Sequence, residues 1–107
     1  ISLNIIFCDD HHLSTLKVKY FNEDVLTDVL AFPIQNDTIL ESEIYISYDR
    51  ALANSKEFNV SMNNELVRLI VHGLLHLLGY RDNNQKSKQI MFDKQEAIVK
   101  NCNIRIV

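Results

Sequence analysis

The sequence contains few of the residues that mark linkers, disulfide scaffolds or membrane spans. Its 107 residues include two Gly, one Pro, two Cys and no Trp. So little Gly and Pro argues against flexible or low-complexity segments, and no apolar run approaches the roughly 20 residues of a membrane span. Cys8 and Cys102 form no CxxC pair, which is typical of reduced thiols in a cytoplasmic protein. We therefore expect one soluble, cytoplasmic domain over residues 1–107, without a secretory signal or membrane association.

Charge is unevenly distributed along the chain. The net charge of −3 disfavours a protein that binds nucleic acid through overall electrostatics. Residues 1–60 carry four Lys or Arg against ten Asp or Glu, a balance of −6, whereas residues 61–107 carry seven against four, a balance of +3. The basic half is also the half that contains the candidate site.

Apolar periodicity predicts strands first and helices later. The predicted strands are residues 3–8, 27–32 and 39–47, and the predicted helices are residues 12–22, 48–58, 62–78 and 85–101. Asn59 and Gly79 suit left-handed helix termini, and Ser61 suits an N-cap. This order predicts an α+β fold, with helices packed on one face of a small mixed β-sheet. In the last helix, the residues expected in the core are Ile90, Met91, Ala97 and Ile98.

Within the predicted helix and its terminator, the segment from Glu65 to Gly79 is apolar except for one polar seam. On a helical wheel, this seam consists of Glu65, Arg68, His72, His76 and Gly79. His72 and His76 are four residues apart, so they lie one above the other and their ring nitrogens can bind the same ion. Gly73 follows His72, so the HExxH pattern that gives zinc peptidases their base is absent, and another metal-assisted hydrolysis remains open.

A third ligand must come from outside the helix, because a catalytic zinc site has three protein ligands and one open position. Gly79 lets the chain turn back, and Asp82 is the nearest carboxylate that can return to the seam. We predict one zinc ion per chain at the end of the central helix, bound by His72, His76 and Asp82. The alternative is that HxxxH occurs by chance on an exposed polar stripe.

Two separated motifs resemble those of a known family. HGLLHLLGYRD, at residues 72–82, resembles the HGxLHLxGYDH signature of the YbeY family, and TDVLAFP, at residues 27–33, is similar to that family's TDVLSFP strand. Residues 43–47 correspond to the family's GDI-type strand, with Ser42 instead of the usual Gly. The resemblance extends from about Leu3 to Val99. Since the family usually begins with a further strand and helix, the chain is expected to be an N-terminally short member.

The resemblance implies a metal-dependent endoribonuclease that prefers single-stranded RNA, helps to mature the 3′ end of 16S rRNA and takes part in ribosome quality control. It also implies zinc ligands at positions 72, 76 and 82, although the family pattern mostly has His where this chain has Asp82. A second departure concerns the functional Arg that follows a Tyr before the TDVLSFP strand. Here Tyr20 is followed by Phe21.

Two other cations could replace the missing arginine. Arg68 lies one turn before His72, and Arg81 precedes Asp82, so either guanidinium could clamp a phosphate. We predict His72, Arg81 and Arg68 as catalytic residues and favour Arg81, because Arg68 could instead pair with Asp82. Both could equally be solvated surface cations.

Three hypotheses follow for the function. The leading one is a zinc-dependent endoribonuclease whose partners are single-stranded RNA, rRNA and the small ribosomal subunit. The second is an RNA- or ribosome-associated module that keeps the metal but has lost activity through Phe21. The third is a metal-dependent hydrolase of another substrate.

Overall fold

The computed structural model describes residues 2–21, 29–33 and 41–106. The elements in chain order are β1 (Ser2–Cys8), α1 (Asp10–Phe21), β2 (Val29–Pro33), β3 (Glu41–Ser47), α2 (Tyr48–Glu57), α3 (Met62–Leu77) and α4 (Gln85–Lys100). The predicted α+β class is confirmed. The predicted element ends at residues 22, 27–28 and 39–40 lie outside the described residues.

The three described strands form a small mixed sheet in the order β1-β3-β2. β1 pairs with β3 in parallel and β2 pairs with β3 in antiparallel orientation. Along the central strand β3, Ser42, Ile44 and Ile46 are buried, whereas Glu43 and Tyr45 are only partly buried. This alternation is the period of a pleated strand, and α3 packs against the face that carries Ile44.

The central helix α3 contributes to both parts of the core. One cluster of buried side chains joins it to the sheet and α2, and its members are Val29, Ile44, Ile46, Ala51, Leu66 and Leu69. A second cluster joins it to α4, and its members are Val67, Val71, Leu75, Met91 and Val99. Gly73 allows the helix to approach the sheet closely, because a Cβ at this position would lie 3.1 Å from Cγ2 of Ile44.

Local signals at both ends of α3 act as predicted. Asn59 separates α2 from α3 with a φ of 55°. Ser61 is the N-cap of α3, and its side-chain oxygen accepts a hydrogen bond from the backbone N–H of Asn64 at 3.0 Å. Gly79 follows the helix with a φ of 101°, a left-handed conformation that glycine adopts without steric cost.

The buried face of α4 differs from the predicted one. Met91 is buried as expected, but Ile90 and Ile98 are 51% and 38% exposed, and Ala97 is exposed as well. The prediction was wrong because polar Gln95 lies in the middle of the buried face, where it contacts α3. A prediction from hydrophobicity alone therefore selected the wrong face of α4 as the buried one. The buried stripe consists of residues spaced by four: Met91, Gln95 and Val99.

Two sequence expectations outside the site can also be compared with the structure. Cys8 and Cys102 are both free thiols, as predicted. Burial raises the pKa of the Cys8 thiol, and the charges of Asp9 and Asp10 raise it further. Among the described residues, no helix has the length and apolar character needed to cross a membrane.

Candidate metal centre

α3 presents His72 and His76 one turn apart, with their Nε2 atoms separated by 3.1 Å. Nδ1 of His72 faces Oε1 of Gln95 at 2.7 Å, and Nδ1 of His76 faces the backbone carbonyl oxygen of Tyr80 at 3.2 Å. Amide and carbonyl oxygens can only accept hydrogen bonds, so in the neutral rings each Nδ1 carries the proton. Both Nε2 lone pairs therefore point into the space that the two rings share.

The turn after α3 returns a carboxylate to the same space. Gly79 reverses the chain direction, and the backbone N–H of Tyr80 donates to the last turn of α3 at 3.0 Å. Asp82 follows two residues later. Its Oδ2 lies 3.5 Å from Nε2 of His76 and 3.9 Å from Nε2 of His72. The three side chains predicted as ligands are thus brought together.

The geometry of these three ligand atoms fits one tetrahedral ion. Metal–ligand bonds of about 2.0 to 2.2 Å imply ligand atoms about 3.3 to 3.6 Å apart, and the observed separations are 3.1, 3.5 and 3.9 Å. Two lone pairs and a carboxylate otherwise face one another without a donor between them, an arrangement that a cation satisfies. The side chains of His72, His76 and Asp82 are 28%, 35% and 46% exposed, so the group could hold a metal ion that is accessible from solvent.

The surroundings favour the neutral form of His76 that a metal requires. Burial lowers the pKa of His76, and the adjacent His72 ring lowers it further. Asp82 and the carbonyl of Tyr80 raise that pKa, and Arg81 lowers it. Because the largest cause is burial, the ring is biased toward the uncharged form, whose Nε2 can act as a ligand.

A family model described as endoribonuclease YbeY matches residues 1–103. The chain belongs to the YbeY family. Endoribonuclease YbeY of Flavobacterium johnsoniae is 38% identical over 94 residues, which are 88% of this chain and 68% of that protein. Endoribonuclease YbeY of Karelsulcia muelleri is 42% identical over 94 residues, covering 88% of this chain and 67% of that protein. The resemblance drawn from the two sequence motifs is therefore confirmed.

A solved structure supports the fold. The solution structure of TM1509 from Thermotoga maritima aligns with a TM-score of 0.60 and 32% sequence identity, over 92% of this chain and 65% of that one. The chain thus spans about two thirds of the length of the YbeY relatives and structure that it matches.

Arg68 is hydrogen-bonded to other side chains of α3 and α4. Its guanidinium donates to Glu65 at 3.0 Å, to Asn64 at 2.8 Å, and to both carboxylate oxygens of Glu96 at 2.9 and 3.0 Å. The expected alternative, a pair with Asp82, is not formed. Glu65 is almost completely buried, and the side chain of Arg68 is 21% exposed, so this arginine links α3 to α4.

Arg81 has a different environment. It lies on the exposed loop between α3 and α4, directly before Asp82. Its positive charge is close enough to lower the pKa of His76. Within residues 2–21, 29–33 and 41–106, the Arg81 guanidinium has no hydrogen bond or ion pair. Of the two cations singled out in the sequence, Arg81 is the one left available to a ligand.

Gln95 is a residue of the site that sequence reasoning missed. It is 6% exposed, and its Nε2 donates to Oε2 of Glu96 at 3.0 Å, which fixes the amide so that Oε1 faces His72. A partner that accepts from the second nitrogen of a ligating histidine orients the ring. The only signal in the sequence was a polar residue four positions after Met91 and four before Val99, within an otherwise apolar stripe.

Proposed function

We propose that this chain is a zinc-dependent endoribonuclease that cleaves single-stranded RNA in the cytoplasm, with the 3′ end of 16S rRNA in the small ribosomal subunit as its physiological substrate. The proposal combines membership of the YbeY family with the geometry of the candidate metal centre. The observation that carries it is the convergence of His72, His76 and Asp82 on one partly exposed point. Two histidines and one carboxylate are a known ligand set of catalytic zinc.

The chain's own residues orient the ligands and the substrate. Gln95 and the carbonyl of Tyr80 hold the two rings so that both Nε2 atoms face the ion position. A zinc ion held by His72, His76 and Asp82 would supply Lewis acidity toward a phosphoryl oxygen and toward attacking water. Arg81, beside Asp82, contacts the scissile phosphate, while Arg68 holds α3 to α4.

A second candidate function is supported by one departure from the family pattern. Phe21 follows Tyr20 where the family has a functional Arg. A chain without that cation could keep the metal and bind RNA or the ribosome without cleaving it. Binding without turnover would distinguish this module from the enzyme.

The test measures metal content and cleavage on the same preparations. We expect about one zinc per chain and cleavage of a single-stranded RNA that stops with chelator and returns with added zinc. His72→Ala should lose both metal and cleavage. The matched control is His11→Ala, which removes an exposed histidine of α1 outside the cluster. Equal metal content in His72→Ala and wild type would contradict the site, and zinc-loaded protein that binds RNA without cutting it would favour the second candidate.

A further inference from the structure

A groove extends from the metal ligand His72 toward the end of α2. Its volume is about 180 Å³, and side chains of α2, α3 and α4 line it. This is smaller than the roughly 300 Å³ at which pockets for drug-sized ligands begin, so the groove suits one planar ring system rather than a whole nucleotide. Because His72 belongs to both the groove and the metal centre, a ligand that reaches the ion can place its neighbouring group in the groove.

The charged groups beside this groove disfavour a phosphate. Arg68 already makes four hydrogen bonds, three of them to the carboxylates of Glu65 and Glu96 and one to Asn64. One guanidinium faces two carboxylates, so the local net charge is negative. Four of the five N–H donors of Arg68 are occupied, which leaves no pair of donors to clamp a phosphate. An uncharged part of a ligand is therefore favoured here.

Phe58 supplies an aromatic surface at this groove. It follows α2 directly, lines the groove and is 60% exposed. It belongs to neither buried cluster of the core, so its ring is available to a ligand. Aromatic side chains of this kind stack on unpaired bases of single-stranded nucleic acid.

We propose that the groove between Phe58 and His72 is a nucleobase subsite. It accepts the base next to the phosphate held at the metal centre, and that base stacks on Phe58. This inference rests on the proposed function and deepens it. A base can enter the groove only when it is unpaired, so the subsite makes the enzyme select single strands. The occupant is RNA, since the relatives that the chain matches are endoribonucleases and His72 belongs both to the groove and to the metal centre that would hold the phosphate.

The test compares two exposed phenylalanines in the zinc-loaded protein. Phe58→Ala removes the proposed stacking surface, and Phe58→Tyr keeps an aromatic ring. Phe92→Ala is the matched control, because Phe92 is 53% exposed on α4 and does not line the groove. The probe is a fluorescent, single-stranded 2′-O-methyl RNA whose integrity is checked on a denaturing gel. We expect Phe58→Ala to weaken binding about tenfold, and Phe58→Tyr and Phe92→Ala to bind as wild type does.

An abasic series locates the contact. Each oligonucleotide lacks one base at a different position. The wild-type protein should bind one of these abasic oligonucleotides more weakly than the intact one. Phe58→Ala should bind that abasic oligonucleotide and the intact one equally well. Equal affinities of Phe58→Ala and Phe92→Ala, or equal abasic losses in wild type and Phe58→Ala, would overturn the subsite. If the wild-type protein cleaves RNA and either of these two results is obtained, the subsite is wrong but the nuclease function stands. If wild type binds without cleaving and Phe58→Ala binds more weakly, the subsite stands and the nuclease function fails.

Discussion

At the scale of single residues, each histidine of the candidate metal centre is oriented by an oxygen that accepts from the ring nitrogen facing away from the proposed ion. For His76 this oxygen is the carbonyl of Tyr80, which the turn at Gly79 brings back over the ring. For His72 it is Oε1 of Gln95, a side chain from a different helix. The backbone partner depends only on the local turn, whereas the side-chain partner can be removed by a single substitution.

Replacing Gln95 with Leu should weaken metal binding by about 10- to 100-fold, because His72 loses the acceptor that fixes its tautomer and ring orientation. Gln95→Glu keeps an acceptor for His72 but loses the donor to Glu96 and places a second carboxylate beside it, so it should restore only part of the affinity. The measurement is competition for zinc with a chelator of known affinity. Gln89→Leu, which changes an exposed glutamine of the same helix, is the control. Unchanged zinc affinity in Gln95→Leu would show that Gln95 does not position His72.

Replacing Arg81 with Ala should reduce RNA cleavage by about 10²-fold, as loss of a positioned electrostatic donor typically does. Metal content should remain at the wild-type level, because Arg81 is not a ligand. The measurement is single-turnover cleavage, with Lys100→Ala as the control because it removes an exposed cation near the C-terminal end of α4. A wild-type rate in Arg81→Ala would mean that this arginine does not contact the phosphate.

At the scale of elements, the sequence predicts what local signals determine and fails where tertiary contacts decide. The predicted bounds of α3 are within one residue of those observed, because the side chain of Ser61 and the backbone of Gly79 act on residues next to them in the sequence. The exposed and buried faces of α4 were assigned incorrectly, since the burial of Gln95 depends on His72, 23 residues away. The partner of Arg68 was missed for the same reason, since Glu96 lies 28 residues away.

The ion pair between α3 and α4 predicts a pH-dependent contribution to stability. The hydrogen bonds from Arg68 lower the pKa of the Glu96 carboxyl, so the folded state favours the ionised form. This contribution is fully present above the unfolded-state value of about 4.3 and is lost as the pH falls through the lower folded-state pKa. Glu96→Gln should therefore reduce the free energy of unfolding at pH 7 by about 1 kcal/mol, discounted for partial exposure.

Urea unfolding between pH 7 and pH 3 measures this contribution. The difference between wild type and Glu96→Gln should shrink as the pH falls below about 4. Glu57→Gln, which changes an exposed carboxylate of α2, should show no comparable difference at pH 7. A difference between wild type and Glu96→Gln that stays constant over the whole pH range would contradict an ionic origin.

At the scale of the whole molecule, the candidate site has two parts: one built from residues close together in the sequence, and one built from residues far apart in it. The convergence of the three candidate ligands was predictable because His72, His76 and Asp82 lie within one helix and the turn that follows it. The groove was not, because it requires Phe58 of the α2 terminus and Gln95 of α4 to meet beside α3. Periodicity along a sequence locates the faces of helices but not the distance between them, so the candidate ligands could be named while the groove could not.

Because the candidate ligands come from α3 and from the loop that leads to α4, the complete candidate site exists only in the folded chain. An ion that binds the folded state alone stabilises it by mass action, by about 2.7 kcal/mol at a free concentration 100 times its dissociation constant. For a domain of this size, that corresponds to a rise in Tm of about 10 to 20 °C. Thermal unfolding followed by circular dichroism should show this rise with zinc and a smaller one with the same concentration of magnesium, since imidazole ligands favour zinc. His72→Ala should abolish the zinc-dependent rise and His11→Ala should keep it; the same rise in both variants would place the stabilising ion elsewhere on the chain.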